Sequence, residues 1–209
     1  MTMELRTRLA LVLLWSFTIS GCIGFLSPAY TWFVSLTPLN LALYILVILL
    51  TLEDISKRFF MAIAIPFAMG MLSEMLGVNY GLIFGEYSYG ENMGWKVLGV
   101  PWMIGVNWAV LTYCTAVVAK RLTSSHLGSV VISSLLMVAI DLLMEVSAPR
   151  FDYWEFEGGI APLQNYFGWF GVAFVAQYLF QSVYRLEQNV AAYHILAGII
   201  LFFSIFLLF

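Results

Sequence analysis

The sequence is poor in charged residues, and this shortage decides the class of protein. Charged residues make up 10% of its 209 residues and hydrophobic residues 62%, whereas a soluble domain usually has roughly 25% charged residues. A chain this apolar would expose large hydrophobic patches in water and aggregate, so the solvent that suits it is lipid. It has no run or stripe of basic residues, so nothing in it indicates binding to nucleic acid.

The sequence also has few cysteines: there are two, Cys22 and Cys114. Both lie in apolar segments, so we expect both to be packing residues. Ile19-Ser20-Gly21-Cys22 follows an apolar run and a start that contains Arg6 and Arg8, a pattern that also resembles a lipoprotein cleavage box. We favour retention of this segment as the first membrane span.

Apolar runs separated by short polar stretches indicate membrane spans along the whole chain. At roughly 20 residues per crossing, a chain of this length has no room for a separate soluble domain. We therefore predict an all-α polytopic membrane bundle of about seven transmembrane helices, with residues 1–209 as a single transmembrane domain. The predicted spans are 8–26, 38–52, 59–77, 100–119, 127–147, 168–184 and 191–208.

The positions of the basic residues predict an orientation. If seven spans alternate, seven Lys and Arg residues fall on the side of the N-terminus and two on the other side. Such an excess marks the cytoplasmic side. We therefore expect a protein of a bacterial inner (cytoplasmic) membrane, with its N-terminus in the cytoplasm and its C-terminus outside. The first group is Arg6, Arg8, Lys57, Arg58, Lys120, Arg121 and Arg185, and the second is Lys96 and Arg150.

The two longest connections, 78–99 and 148–167, both fall on the predicted outer side. They are rich in tyrosine, tryptophan and acidic residues, and for Trp95 and Tyr153 we expect an interfacial aromatic belt. Glycines recur there at every fourth position. We expect them to allow tight backbone turns rather than to form a helix-packing seam. These glycines are Gly77, Gly81 and Gly85.

Three carboxylates remain inside or at the ends of the predicted spans: Glu74, Asp141 and Glu145. Ionised carboxylates are costly in hydrocarbon, so they normally face the bundle interior and serve a function. Asp141 and Glu145 are four residues apart, on one face of the fifth span. Glu74 and Asn107 lie at a similar depth in two other spans, which predicts one shared pocket in the outer half of the bundle. The alternatives are a structural lock between helices and, for Glu74 and Glu145, snorkelling to the interface.

Such a pocket is suited to acid–base chemistry. A buried carboxyl group beside a second carboxylate can hold a proton at neutral pH and deliver it, with the second group acting as the base. Aromatic rings around the pocket would stabilise a cationic intermediate through their negative faces.

Other chemistries lack the residues that they need. The last span, 191–208, has no lysine to hold retinal. His126 and His194 lie toward the cytoplasmic side, away from the acids, so we expect no metal site and interpret His194 as a packing or interfacial residue. Prenyl transfer would need repeated Asp-rich motifs, and the chain has a single Asp141-x-x-x-Glu145 pair. No Ser-His-Asp or Cys-His set and no glycine-rich phosphate loop is visible.

Two blocks of sequence together resemble a known family. The first block is residues 81–89, GLIFGEYSY, followed by Gly99-Val100-Pro101, Trp108 and Tyr113. The second begins with Asp141-x-x-x-Glu145 and continues through Ala148, Phe151, Trp154, Gly158-Gly159, Pro162, Asn165 and Gly168-Trp169. In this order they are similar to the carotenoid biosynthesis membrane protein family, over roughly residues 60–170. Its characterised members include hydratases that act on the acyclic ends of gamma-carotene-like and bisanhydrobacterioruberin-like carotenoids.

The chain departs from the family pattern at three places. Glu145 stands where the family often has Asp, the proline that follows is displaced to Pro149, and Ile160-Ala161 replaces an expected Tyr-Gly pair. These departures bear on the substrate more than on the family.

The resemblance implies an enzyme without a cofactor that adds water to a terminal carbon–carbon double bond of an acyclic carotenoid, with membrane lipids as its other partner. Asp141 is then the expected proton donor. Glu145 or Glu74 is expected to orient or deprotonate the water, and Asn107 to hold it. Aromatic residues would line the end-group site, and Asn165 would act as a loop brace or water ligand. The expected substrate-binding residues are Tyr87, Tyr89, Trp108, Trp154, Asn165 and Trp169.

Other functions stay open. Proton-initiated cyclisation shares the first step, but it needs a pocket that excludes water, and three acids with Asn107 indicate a wetter one. A proton-coupled transporter or a carotenoid-binding protein also uses intramembrane groups. A proton path should have polar steps on the cytoplasmic side, where the spans contain hydroxyls such as Ser133 and Ser134 but no acid. A purely structural subunit is a further alternative, and the sequence does not determine the oligomeric state.

Overall fold

The computed structural model describes residues 2–208, which form eight α-helices and four short strands. The helices are α1 (Met3–Phe25), α2 (Tyr30–Ser35), α3 (Thr37–Thr51), α4 (Lys57–Tyr80), α5 (Trp102–Leu122), α6 (His126–Glu145), α7 (Leu163–Val183) and α8 (Val190–Ile205). The strands are β1 (Tyr87–Tyr89), β2 (Lys96–Val97), β3 (Val100–Pro101) and β4 (Trp154–Phe156).

Each of the seven predicted spans coincides with one long helix, and the short α2 is an eighth that the apolar pattern did not predict. Four helices, α1, α4, α5 and α6, are long and apolar enough to cross a membrane. α3 and α8 are apolar but shorter, with 15 and 16 residues. The protein therefore has the helices of a membrane protein, and the number of seven crossings stays a prediction.

Two helices begin five residues before their predicted spans: α1 begins at Met3 rather than at residue 8, and α7 begins at Leu163 rather than at residue 168. Its first turn contains Gln164 and Asn165, polar residues that hydropathy excludes from a span. Asn165 is nevertheless 1% exposed, because this turn points its amide into the protein rather than toward lipid.

Hydrogen bonds between helix ends show that α1 and α3 run antiparallel and that α3 begins at the end of the bundle where the α6–α7 connection lies. At one end, Thr37 Oγ1 at the start of α3 lies 2.7 Å from Tyr153 Oη in the α6–α7 connection. At the other end, Arg6 Nη2 near the start of α1 donates to the Leu52 carbonyl after α3 at 2.8 Å. We call the end with the two long connections the loop end, and the opposite end the far end. α5 lies at the centre, with buried residues on all its sides, including Cys114.

The two long connections are joined by a short antiparallel ladder. β1 pairs with β4 so that Tyr87 lies opposite Phe156, Ser88 opposite Glu155 and Tyr89 opposite Trp154. Successive strand residues point to opposite faces, so the aromatic residues share one face and the polar pair shares the other. The ladder therefore closes the loop end with a layer of aromatic side chains.

The belt interpretation of Tyr153 is wrong. Its side chain is 5% exposed and its hydroxyl is bonded to Thr37, so it packs inside the protein rather than at a lipid interface. Trp95 is 74% exposed, and its place in an aromatic belt stays a prediction. Of the three recurring glycines, Gly81 and Gly85 have the positive φ values of tight turns, 64° and 98°. Gly77 lies inside α4.

Candidate active site

The ten residues singled out in the sequence line one small cavity at the loop end. It lies between α4, α5, α6 and α7, beneath the β1–β4 ladder. The structure thus brings these side chains together, and what each of them does there stays a prediction. The ten are Glu74, Tyr87, Tyr89, Asn107, Trp108, Asp141, Glu145, Trp154, Asn165 and Trp169. We call this space the acid cavity.

Glu74 of α4 is 3% exposed and accepts hydrogen bonds from three side chains. Tyr87 and Tyr89 both donate to its Oε2, Tyr89 at 2.7 Å. Trp108 Nε1 donates to Oε1 at 3.0 Å. A carboxylate has only acceptor sites when it is ionised, so three neutral donors match the anionic form of Glu74 without a cation.

The two tyrosines that bind Glu74 stay protonated. Burial, followed by the negative charge of Glu74, raises the pKa of Tyr89 well above its ordinary value. The same two causes raise the pKa of Tyr87. Both phenols are therefore donors throughout the neutral range, and the β1 strand holds them over the carboxylate.

Asp141 and Glu145 of α6 are joined by the side-chain amide of Asn165. Its Nδ2 donates to Asp141 Oδ2 at 3.1 Å and to Glu145 Oε1 at 3.4 Å. Asp141 is 2% exposed and accepts from no other side chain of residues 2–208. Glu145 also accepts from Trp154 Nε1 at 3.2 Å. The polar first turn of α7 is therefore what positions the carboxyl pair.

No cationic side chain of residues 2–208 forms an ion pair with any of the three acids. Within residues 2–208 the ion pairs are Arg8 with Glu4 and Lys96 with Glu91, and neither belongs to the cavity lining. Amide, indole and phenol groups supply all the hydrogen bonds instead. In such a site the negative charge of the acids can be neutralised by protons that bind to them, or by a positive charge that forms on a bound molecule.

Aromatic rings form much of the cavity wall beside the acids. The indoles of Trp108 and Trp169 are stacked, with centroids 4.1 Å apart and planes 13° apart. Gly70 of α4 lies against Trp108, and a side chain at this position would overlap the indole. The faces of such rings are negative and attract cations, so the wall is suited to stabilising positive charge.

Asn107 is the one predicted polar group of this cavity without a hydrogen-bond partner in residues 2–208. The residue as a whole is 8% exposed, and its amide atoms lie at the cavity surface rather than fully enclosed by protein. The cavity has a volume of about 20 Å³, which is enough for a single water molecule. A water there would have polar groups on several sides.

Comparison with known proteins identifies the family of this chain. A sequence model of the family described as carotenoid biosynthesis protein matches residues 33–209, which include every residue of the acid cavity. The chain belongs to this family. No curated protein and no solved structure matches the chain.

This carotenoid biosynthesis protein has four cavity residues that sequence reasoning missed: Phe84, Ile104, Met144 and Phe156. Phe156 had a visible signal, because Trp154-Glu155-Phe156 and Tyr87-Ser88-Tyr89 share an alternation of aromatic and polar residues typical of strands. Phe84 follows Ile83, a β-branched residue with φ of 71°. Backbone strain of this kind is commonest next to functional sites, but the sequence gives no sign of it.

The two histidines lie outside the acid cavity. His194 Nδ1 accepts a hydrogen bond from Trp15 Nε1 at 3.0 Å, and the His126 ring packs edge-on against Tyr178. Both therefore contact neighbouring helices, as expected of packing residues. Within residues 2–208, no three His, Cys, Asp or Glu side chains are grouped so that they could hold a metal ion.

Proposed function

We propose that this protein is a carotenoid hydratase, which adds water to a terminal carbon–carbon double bond of an acyclic carotenoid end group. The observation that supports it best is the meeting of Glu74, Asp141 and Glu145 in one cavity faced by aromatic rings. Membership of a carotenoid biosynthesis family supports the substrate class. The proposal adds a specific reaction, hydration, to the role in carotenoid biosynthesis that membership of the family shows.

The reaction needs one proton and one water. Asp141 donates its proton to the terminal alkene carbon that has more hydrogens, which leaves a tertiary carbocation on the neighbouring carbon. Water attacks this carbon, and a carboxylate removes the extra proton to leave a tertiary alcohol. The proton taken up replaces the one that Asp141 gave, so the sum is alkene plus water, with no oxidant or reductant.

The hydrogen bonds support a division of roles between the acids. Glu74 accepts three donors and is matched as an anion, so we assign it the stabilisation of the cation. Asp141 accepts a single side-chain bond, which leaves room for a proton that it can donate. Glu145 is bonded to the same Asn165 amide and is partly exposed, so it is placed to deprotonate the water and return the proton to Asp141.

Two observations favour hydration over cyclisation. The amide of Asn107 has no hydrogen-bond partner among residues 2–208, and the acid cavity has the volume of one water. A cyclase must keep water away from the same cation, because an internal double bond has to capture it. Buried unpartnered polar groups attract water and would work against that outcome.

The direct test is expression of the chain in cells that accumulate lycopene or gamma-carotene. We expect a product heavier by one water, measured by chromatography with mass spectrometry against cells without the gene. A new product of unchanged mass would instead indicate cyclisation. Unchanged carotenoids across several acyclic substrates, with the protein present in the membrane, would overturn an enzymatic role.

We also propose that the loop end faces away from the cytoplasm. The support is the excess of Lys and Arg at the far end, which marks the cytoplasmic side. Tags at the two termini, probed with protease in intact cells and in inverted vesicles, test this. An accessible N-terminal tag on intact cells would contradict the orientation without affecting the reaction.

A further inference from the structure

A second and larger cavity lies beside the acid cavity. It has a volume of about 400 Å³ and is lined by residues of α1, α2, α3 and α8 at the loop end. Cavities of roughly 300–1,000 Å³ are typical of sites for organic ligands. Its walls are rich in aromatic rings, among them Phe25, Phe33, Tyr44 and Phe203. We call it the chain chamber.

The chain chamber opens on the side of the bundle. Phe17 on α1 and Trp32 on α2 line it and are 37% and 59% exposed, and Ser16 and Ser20 at its rim are exposed as well. Phe17 lies well inside α1, one of the helices apolar enough to cross a membrane. The opening on this flank therefore faces hydrocarbon rather than water, which is where a lipophilic molecule would be dissolved.

The chain chamber and the acid cavity have a common wall. Asn107, Met144 and Trp154 line both spaces. Met144 has a flexible unbranched side chain that can move aside, and the half-buried Trp154 connects this wall to the acids through its hydrogen bond to Glu145. Asn107 is more than nine-tenths buried and has no hydrogen-bond partner in residues 2–208, so its amide at this wall is free for a bound molecule.

Resting on the hydratase proposal, we propose that the chain chamber binds the isoprenoid chain of the substrate and that its reacting end passes Met144 and Trp154 to reach the carboxyl groups. The acid cavity alone is too small for an organic end group, whereas the chamber beside it is large enough and opens to lipid. A flat conjugated chain packs well against aromatic faces. A phospholipid tail would gain nothing from a wall shared with buried acids.

The test uses Gly21 of α1, which lines the chamber. A Cβ there meets the Phe202 ring at 3.7 Å, an ordinary contact, so Gly21→Ala is expected to fold. Gly21→Leu would place a branched side chain in the chamber. The matched control is Gly171→Leu on α7, where the glycine is exposed and an added Cβ meets nothing within 4 Å.

Binding is measured with lycopene as the probe, by quenching of tryptophan fluorescence in the purified full-length protein in detergent. We expect Gly21→Leu to bind at least about tenfold more weakly than wild type, because inserted bulk has to displace the ligand or the packing. Gly21→Ala should fall between the two, and Gly171→Leu should match wild type. Melting temperatures report whether each variant is folded. If Gly21→Leu does not fold, the lycopene affinity of Gly21→Ala is compared with that of wild type instead, and an unchanged affinity overturns the chamber.

The outcomes separate the chamber from the reaction. Wild-type binding by a folded Gly21→Leu overturns the chamber, even if hydration is observed. The expected binding pattern without any hydrated product supports the chamber and overturns the hydratase. Mass spectrometry of co-purified lipids adds a third result: if Gly21→Leu releases a bound phospholipid and still binds lycopene as wild type does, the chamber is a lipid site and the inference is wrong.

Discussion

Two buried polar clusters lie in this bundle, and they are built differently. The acid cavity at the loop end contains three carboxyl groups and open space. Nearer the far end, α5, α6 and α7 are joined by a cluster of amides and hydroxyls. Gln177 Nε2 donates to Thr115 Oγ1 at 2.9 Å, and Gln181 Nε2 donates to Gln177 Oε1 at 3.0 Å and to Ser133 Oγ at 3.2 Å. We call Thr115, Ser133, Gln177 and Gln181 the glutamine cluster.

The difference teaches how a buried polar group is to be interpreted in a membrane protein. The side chains of the glutamine cluster are neutral, mostly satisfy one another, and line neither of the two cavities. Interhelical bonds of this kind stabilise a bundle and need no other purpose. The acids, by contrast, are charged or proton-bearing, and they surround space that a water can fill. Substitutions of the acids in the acid cavity should therefore change turnover, whereas substitutions in the glutamine cluster should change stability.

The largest effect is expected from Asp141→Asn. The substitution preserves shape and removes the proton donor, so we expect turnover to fall by about a hundredfold to ten-thousandfold, the usual contribution of a general acid. Because Asn165 can bond to the amide oxygen, the melting temperature should stay close to that of wild type. Product formation from a carotenoid substrate and a thermal melt measure the two quantities. A folded Asp141→Asn protein with wild-type turnover would mean that Asp141 is not the acid.

Glu74→Gln is expected to affect both turnover and stability. Loss of the negative charge should slow the reaction about tenfold to a hundredfold, which corresponds to about 1.4–2.8 kcal/mol of cation stabilisation. Tyr87, Tyr89 and Trp108 would also lose a charged acceptor, and the free energy of unfolding should fall by roughly 1–2 kcal/mol. The same two measurements apply. Tyr89→Phe removes a single donor and serves as the milder comparison, since a purely structural Glu74 would lose stability in both variants and turnover in neither.

Gln177→Leu, in the glutamine cluster, should lower stability and leave turnover unchanged. It removes the bonds to Thr115 and Gln181, and hydrogen bonds between membrane helices contribute roughly 0.6–1.7 kcal/mol each. We expect a lower melting temperature with turnover unchanged at temperatures where the protein is folded. A loss of turnover in folded protein would show that the two clusters are coupled, and a proton path through the bundle would then need to be considered.

The sequence was sufficient for the seven long helices and for the polar residues of the acid cavity, but not for α2 or for the cavity residues Phe84, Ile104, Met144 and Phe156. The seven apolar runs gave the long helices because lipid-facing residues must be apolar along a whole span. The acids were found because an ionisable residue in such a run is unusual, and the four-residue spacing put Asp141 and Glu145 on one face. The aromatic residues and Asn165 came from the likeness to the family, since no local pattern distinguishes them from an interfacial belt.

The chain chamber could not have been predicted. Its lining comes from six helices and from the two long connections, and most of these residues look like any lipid-facing set, so its volume depends on how the helices pack. The pairing of β1 with β4 joins residues about 65 positions apart, which short-range patterns do not register. Tyr153 was misinterpreted for the same reason, because its partner Thr37 lies on a distant helix.

The smallest expected effect tests the comparison between the two ends of the bundle, because it concerns an unpartnered hydroxyl outside the acid cavity. Ser129 of α6 is fully buried near the far end, and its hydroxyl has no hydrogen-bond partner in the part of the chain that the structure describes. A buried hydroxyl without a partner is unfavourable, so Ser129→Ala should leave stability unchanged or raise it by up to about 1 kcal/mol, without altering turnover.

Asn107→Leu is the matched variant at the loop end. If its free amide holds water for the reaction, turnover should fall while the melting temperature stays equal or rises, as it does in Ser129→Ala. Equal turnover in both variants would assign Asn107 to packing. Lower stability in Ser129→Ala would mean that its hydroxyl has a partner, such as a bound water, and that the far end is wetter than its hydrogen bonds indicate.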